Sequence, residues 1–220
     1  MSCEFSLLHR LGDLPLAFVD VETSGMSPRF GCKVIEIGIV RVENGVVTGQ
    51  YEQLIDPRRR ISPRISEMTG ITPAMCLGQP TFARQIPAMM PFLRGAAVVG
   101  HNVRFDLSFL TRELRRAHLE IETEVGKNPV FDTVRIARRR FGRGGNSLQA
   151  LSRRLGIEPV GAHRALADAK TTFLLFQELI CAVGGWDLTL ADIFFIQGGP
   201  MHLENELDAP DVQLSEPLRV

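Results

Sequence analysis

The stretch AFVDVETSGM (17–26) closes an apolar run with two carboxylates, Asp20 and Glu22, one residue apart. Successive side chains on a strand point to opposite faces, so these two share a face while Val19 and Val21 point the other way. Carboxylates held that close repel, and one is driven toward protonation unless a cation neutralises the pair. Oxygen ligands of this kind suit magnesium or manganese. Taken alone, the pair reads more simply as a solvated strand end. Two further acids change the balance. GHNVRFDLSFL (100–110) puts Asp106 early in a helix among Phe105, Leu107, Phe109 and Leu110. GAHRALADAKTTFLLFQELI (161–180) puts Asp168 in a helix whose expected inward face is Ala165, Ala169, Thr172, Phe173 and Phe176. Acids buried singly are costly, whereas Asp20, Glu22, Asp106 and Asp168 gathered into one metal cage are reasonable.

His163 lies five residues before Asp168, about 140° around an ideal helix. Both cannot face one site from regular helix, so His163 is expected at the helix start or in the loop before it. A neutral imidazole there can take a proton from an attacking water; the plainer alternative is a helix-start residue packed on the sheet.

The elements that must position these groups follow from patterning. Residues 16–21, 34–42, 46–55 and 96–102 read as strands, with Asn44-Gly45 as a hairpin turn between the second and third. Ser62-Pro63 opens a short helix that stops near Gly70. Residues 81–94 are helix-like, with Pro87 and Pro91 implying a kink or an early end. Asn102 is placed to cap the helix carrying Asp106. Further helices are expected at 132–141, 147–155 and 164–182. Hairpin strands followed by alternating helix and strand indicate a mixed α/β sheet with helices packed on it.

The chain has 220 residues, enough for one domain with a core and a modest appendage. No apolar run is long enough to span a bilayer. Cys3, Cys32, Cys76 and Cys181 lack metal-ligand spacing and suit a reducing cytoplasm. Zero net charge hides an asymmetry: residues 1–186 carry 24 basic and 18 acidic groups, and 187–220 carry one Arg and seven acids. The basic body is nearly all arginine, which is compatible with a polyanion, and genome composition explains it equally well. Residues 184–220 read as an acidic appendage to a domain spanning 1–183. Its apolar patch LADIFFI (190–196) serves either as an anchor for a partner protein or as a segment folded back on the domain.

DVETSG, HNVRFD and HRALADA, in that order, resemble the three motifs of the DEDDh 3′-to-5′ exonucleases, a family that includes the proofreading epsilon subunit of bacterial DNA polymerase III. ISEMTGIT (65–72) and NSLQALSRRLGI (146–157) are similar to that group's connecting segments. The resemblance covers about residues 15–180. It implies a ribonuclease H-like fold, a mixed five-stranded sheet flanked by helices. It also implies two divalent cations on Asp20, Glu22, Asp106 and Asp168, His163 as general base, and removal of nucleoside 5′-monophosphates from a 3′ end. By the same resemblance Met26 and Phe105 stack on or wedge the last bases, although Phe105 is as plausible in the core.

Around these groups, the backbone of Thr23-Ser24-Gly25 either holds the terminal sugar or makes an ordinary strand-ending turn. His101 and Asn102 position the helix that carries Asp106. Arg135, Arg138 and Arg139 share a helix face, which either meets a DNA backbone or is simply solvated. DNA is the expected substrate. RNA 3′ ends are the nearest rival, and a silent DNA- or polymerase-binding module is disfavoured by the intact acids. QLSEPL (213–218) has Glu216 where a sliding-clamp motif needs an apolar anchor.

Overall fold

The computed structural model describes residues 5–118, 125–158 and 163–203. A five-stranded sheet forms its centre, in the order β3-β2-β1-β4-β5. The strands are β1 (Leu16–Thr23), β2 (Val34–Glu43), β3 (Val46–Leu54), β4 (Ala97–Gly100) and β5 (Val130–Asp132). β1 pairs antiparallel with β2 and parallel with β4, and β4 pairs parallel with β5. The mixed sheet matches the expectation, but β5 has only three residues and gave no periodicity to read.

Alternation along β1 sorts the core into two layers. Ala17, Val19 and Val21 face the layer under α3 (Phe82–Leu93) and α4 (Arg104–Arg116). Leu16 and Phe18 face the layer under α5 (Thr133–Phe141), α6 (Leu148–Leu155), α7 (Ala165–Cys181) and α8 (Leu190–Ile196). Phe18 meets Phe173 and Phe176 of α7 edge to face, at centroid distances of 5.1 and 5.6 Å. All five residues expected on the inward face of α7 are buried.

Two helix expectations are revised. α3 runs unbroken through Pro87 and Pro91. Both prolines and Ala83 are exposed, so the carbonyls deprived of a donor face water, while Phe82, Ile86, Met89, Met90 and Leu93 hold the helix to the sheet. Asn102 does not cap α4: the N-cap is Val103, with no side-chain hydrogen bond, and Asn102 itself is left-handed at φ +60°. α1 (Pro63–Thr69) conforms, with Ser62 accepting from the Ile65 N–H and Gly70 left-handed at its end, and the short α2 (Pro73–Cys76) follows it.

Past Gly184 the described chain stays on the domain. Leu190, Ile193 and Phe194 are buried, and so are Met201 and Leu203. The Gln197 carboxamide accepts from the Asp132 N–H and donates to the Val130 carbonyl. The 190–196 patch is therefore folded back, and only Phe195 of its aromatics is well exposed. Arginines of α5 pack on this segment. Arg135 donates to the Gly198 carbonyl and Arg139 lies 5.7 Å from the Phe195 ring centre. QLSEPL lies outside the described residues, as does Cys3. Among the described residues Cys32, Cys76 and Cys181 are free, and no helix is long and apolar enough to cross a membrane.

Candidate active site

Asp20 and Glu22 continue the face of β1 that carries Leu16 and Phe18, the face covered by α7. Asp168, in the first turn of α7, meets them there. One oxygen from each of these three carboxylates lies within 4.8 Å of the others, a spacing that fits a bound cation. Asp106 approaches from the opposite layer. It is buried at the start of α4, and its Oδ1 accepts from the Val21 N–H at 3.0 Å. It stands outside the close triplet yet is the strongest single charge acting on Asp20.

The electrostatics are those of a crowded anionic cluster that a cation would neutralise. Burial, then Asp106, Asp168, Glu22 and Glu36, pushes the Asp20 carboxyl well above the usual range. Burial, Asp168 and Glu36 push Glu22 up to about 7, against relief from Arg164. Burial raises Asp106, offset by the Val21 N–H, and raises Asp168, offset by the charge and backbone N–H of His163. Hard oxygen donors, crowded and destabilised as anions, suit a divalent ion of the magnesium class.

His163 lies just before α7, exposed and with left-handed backbone (φ +59°). It is off the helix, as its angular offset from Asp168 required, and at the edge of the cluster.

The flanking residues divide. Thr23 Oγ1 donates to the Gly25 carbonyl at 2.7 Å, and Ser24 exchanges hydrogen bonds with the Lys33 backbone. Both side chains thus brace the turn itself. Gly25 packs so closely on Cys32 that an added Cβ would fall 2.6 Å from its Sγ. Met26 is half-exposed. Phe105 packs on Phe109, with ring centres 5.1 Å apart, and remains partly open.

His101 has both ring nitrogens occupied: Nδ1 is 2.8 Å from Thr133 Oγ1 and Nε2 is 2.9 Å from the Asn146 carbonyl. Burial lowers its pKa to about 4. It ties β4 to α5 and the loop before α6, and has no nitrogen left for substrate. The Asn102 N–H donates to Asp132 Oδ1, so Asn102 is anchored through its backbone.

Three residues escaped sequence reasoning. Asp132 caps α5 through the Val134 N–H and also holds the Asn102 loop; an acid just ahead of a helix was the available signal. Glu36 is fully buried in β2, and an acid inside VIEIGIV was its signal. Its partner Arg164 is 128 positions away, and nothing local links them.

The family model described as "Exonuclease" (RNase_T) matches residues 17–176. DNA polymerase III subunit epsilon of Aquifex aeolicus is 34% identical over 163 residues, covering 74% of this chain and 78% of its own length. A PolC-type DNA polymerase III of Thermotoga maritima is also 34% identical, over 79% of this chain, and the match spans only 12% of that polymerase. Exonuclease X, solved in complex with 5′ overhanging duplex DNA, superposes with a TM-score of 0.61 at 28% identity, over 81% of this chain and 98% of its own.

Proposed function

The chain belongs to the DEDDh family of 3′-to-5′ exonucleases, and from that premise we propose that it shortens DNA from the 3′ end, in proofreading or end trimming. The observation that carries this reading is the meeting of Asp20, Glu22 and Asp168 within 4.8 Å, with Asp106 behind them and His163 beside them. A cluster this crowded suits a bound cation, because burial and neighbouring carboxylates destabilise Asp20, Glu22 and Asp106 as anions.

Asp20, Glu22, Asp106 and Asp168 would hold two divalent cations, magnesium or manganese. Bound there, the cations supply charge neutralisation at the scissile phosphate and make an attacking water more acidic. The chain's own groups do the rest. His163, exposed at the edge of the cluster, accepts the proton of the attacking water. Water oxygen bonds to phosphorus as the bond to the 3′ oxygen of the preceding nucleotide breaks, so a nucleoside 5′-monophosphate leaves. The backbone of Thr23-Ser24-Gly25, with its hydroxyls tied internally, keeps a rigid surface for the terminal sugar. Met26 and the open edge of Phe105 offer sequence-tolerant stacking for the last bases. DNA is favoured because relatives at 34% identity are DNA polymerase III proteins, and Exonuclease X, at 28% identity, was solved on duplex DNA. A polymerase partner remains part of the proposal. With 190–196 folded back, its attachment falls to Phe195 or to residues beyond 203.

Matched DNA and RNA oligonucleotides labelled at the 5′ end test this reading. The expected result is a ladder of 3′-shortened DNA with magnesium or manganese and none with chelator. Digestion that persists in chelator, or RNA cut in preference to DNA, contradicts it.

A further inference from the structure

Glu36 is a buried charge beside the site with no part in the reaction described above. It lies near the start of β2 with no solvent exposure, directly across the ladder from Glu22. Strand partners share a face, so Glu36 sets another negative charge beside the cluster. An unpaired carboxylate there would be strongly destabilising. It is fully paired. The fork of Arg164 closes on it, with Nε at 2.9 and 3.1 Å from the two oxygens and Nη2 at 2.6 Å from Oε1. The N–H of Ala165, the first residue of α7, donates to Oε2 at 2.9 Å. Arg164 Nη2 also reaches Glu52 of β3 at 3.4 Å.

Two residues along the same face, Gly38 lets β2 touch the start of α7 backbone to backbone. A Cβ on Gly38 would collide with the backbone of Ala165 and Leu166. The corner at 164–166 is thus held by a carboxylate clamp on one side and a backbone seat on the other. His163 immediately precedes it in left-handed backbone. A non-glycine residue persists in that region only where its surroundings over-determine it.

The geometry points to Glu36 and Arg164 as positioning residues: together they fix the corner from which His163 presents its imidazole to the attacking water. Neither touches substrate. The inference rests on the exonuclease reading and on His163 as its base. Beyond the corner, α7 has anchors of its own in the buried Ala169, Phe173 and Phe176. Asp168 therefore keeps its place when the clamp is weakened, and the loss falls on proton transfer rather than on cation binding. Lysine cannot replace Arg164, because a single ammonium lacks the fork that engages both oxygens.

The test uses Glu36→Gln and Arg164→Lys in the full chain, each assayed well below its melting temperature by circular dichroism. In single-turnover digestion of a 5′-labelled DNA strand, each variant should be slower by about 10- to 100-fold, as for the loss of a group that orients a reacting residue. KM should stay within about twofold of wild type, and so should the calorimetric affinity for Mn2+ in Arg164→Lys, which keeps both charges. In a His163→Ala background, Glu36→Gln should cost no more than about twofold further, because both act on one step. Wild-type turnover in either variant overturns the clamp, as does a loss undiminished in the His163→Ala background or a collapse of Mn2+ affinity in Arg164→Lys. If Glu36→Gln does not fold, Arg164→Lys, at a partly exposed position, carries the test alone. A wild-type chain that shortens no 3′ end with either metal overturns the exonuclease reading instead, so the two failures are distinguishable.

Discussion

Neutralising Glu22 should stabilise the metal-free protein while disabling it. Burial, Asp168 and Glu36 raise its carboxyl from 4.5 to about 7 in the fold. The sign follows from proton counts. Between those values the unfolded chain releases the proton and the folded chain keeps it, so stability falls as pH rises and levels off above the folded value. At about 1.4 kcal/mol per unit, Glu22 alone costs the apo protein up to about 3 kcal/mol at pH 8. The Glu22→Gln variant carries no such cost. For a chain of this size, 1 kcal/mol moves Tm by roughly 2–4 °C, and partial solvent access trims the gain to about 5 °C. Thermal melts in chelator from pH 4.5 to 8.5 should show wild type and Glu22→Gln together at the acid end and diverging as pH rises. Millimolar Mn2+ should reverse the order, because wild type gains binding free energy that the variant has lost. A Glu22→Gln protein less stable than wild type at pH 8 in chelator would refute the reasoning that the cluster is strained for want of a cation.

Other outcomes follow from the same geometry. His163→Ala should slow hydrolysis by about 10²- to 10⁴-fold, with Mn2+ affinity unchanged by calorimetry; lost metal binding would instead make His163 a ligand. Gly38→Ala should destabilise by about 2 kcal/mol or more in urea unfolding, since its Cβ would meet the backbone of α7. The His101 imidazole, with a pKa lowered to about 4, should show no NMR titration between pH 8 and pH 5; an inflection near 6.5 would mean that its two hydrogen bonds are not held in solution.

The sequence exposed those features whose cause is local. Two acids at the end of a β-branched run, and the long apolar face of α7, are legible because strand and helix periods are short-range. Spacing alone was enough to put His163 off the helix. Features that depend on distant partners stayed hidden. Glu36 reads as an odd acid in a strand until Arg164 arrives beside it. His101 reads as a site residue until Thr133 and Asn146 occupy its nitrogens. Pro87 and Pro91 read as helix breakers because nothing local tells which carbonyls will face water. The three residues of β5 form a strand through β4 and the Met201 carbonyl rather than through their own pattern.

The central claim is that Asp20, Glu22, Asp106 and Asp168 exist to hold ions. Anomalous diffraction from crystals soaked in Mn2+ with a nucleoside 5′-monophosphate tests it most directly. Manganese density is expected between the carboxylates of Asp20, Glu22 and Asp168. Well-ordered manganese elsewhere in the crystal, with that position empty at neutral pH, would contradict it.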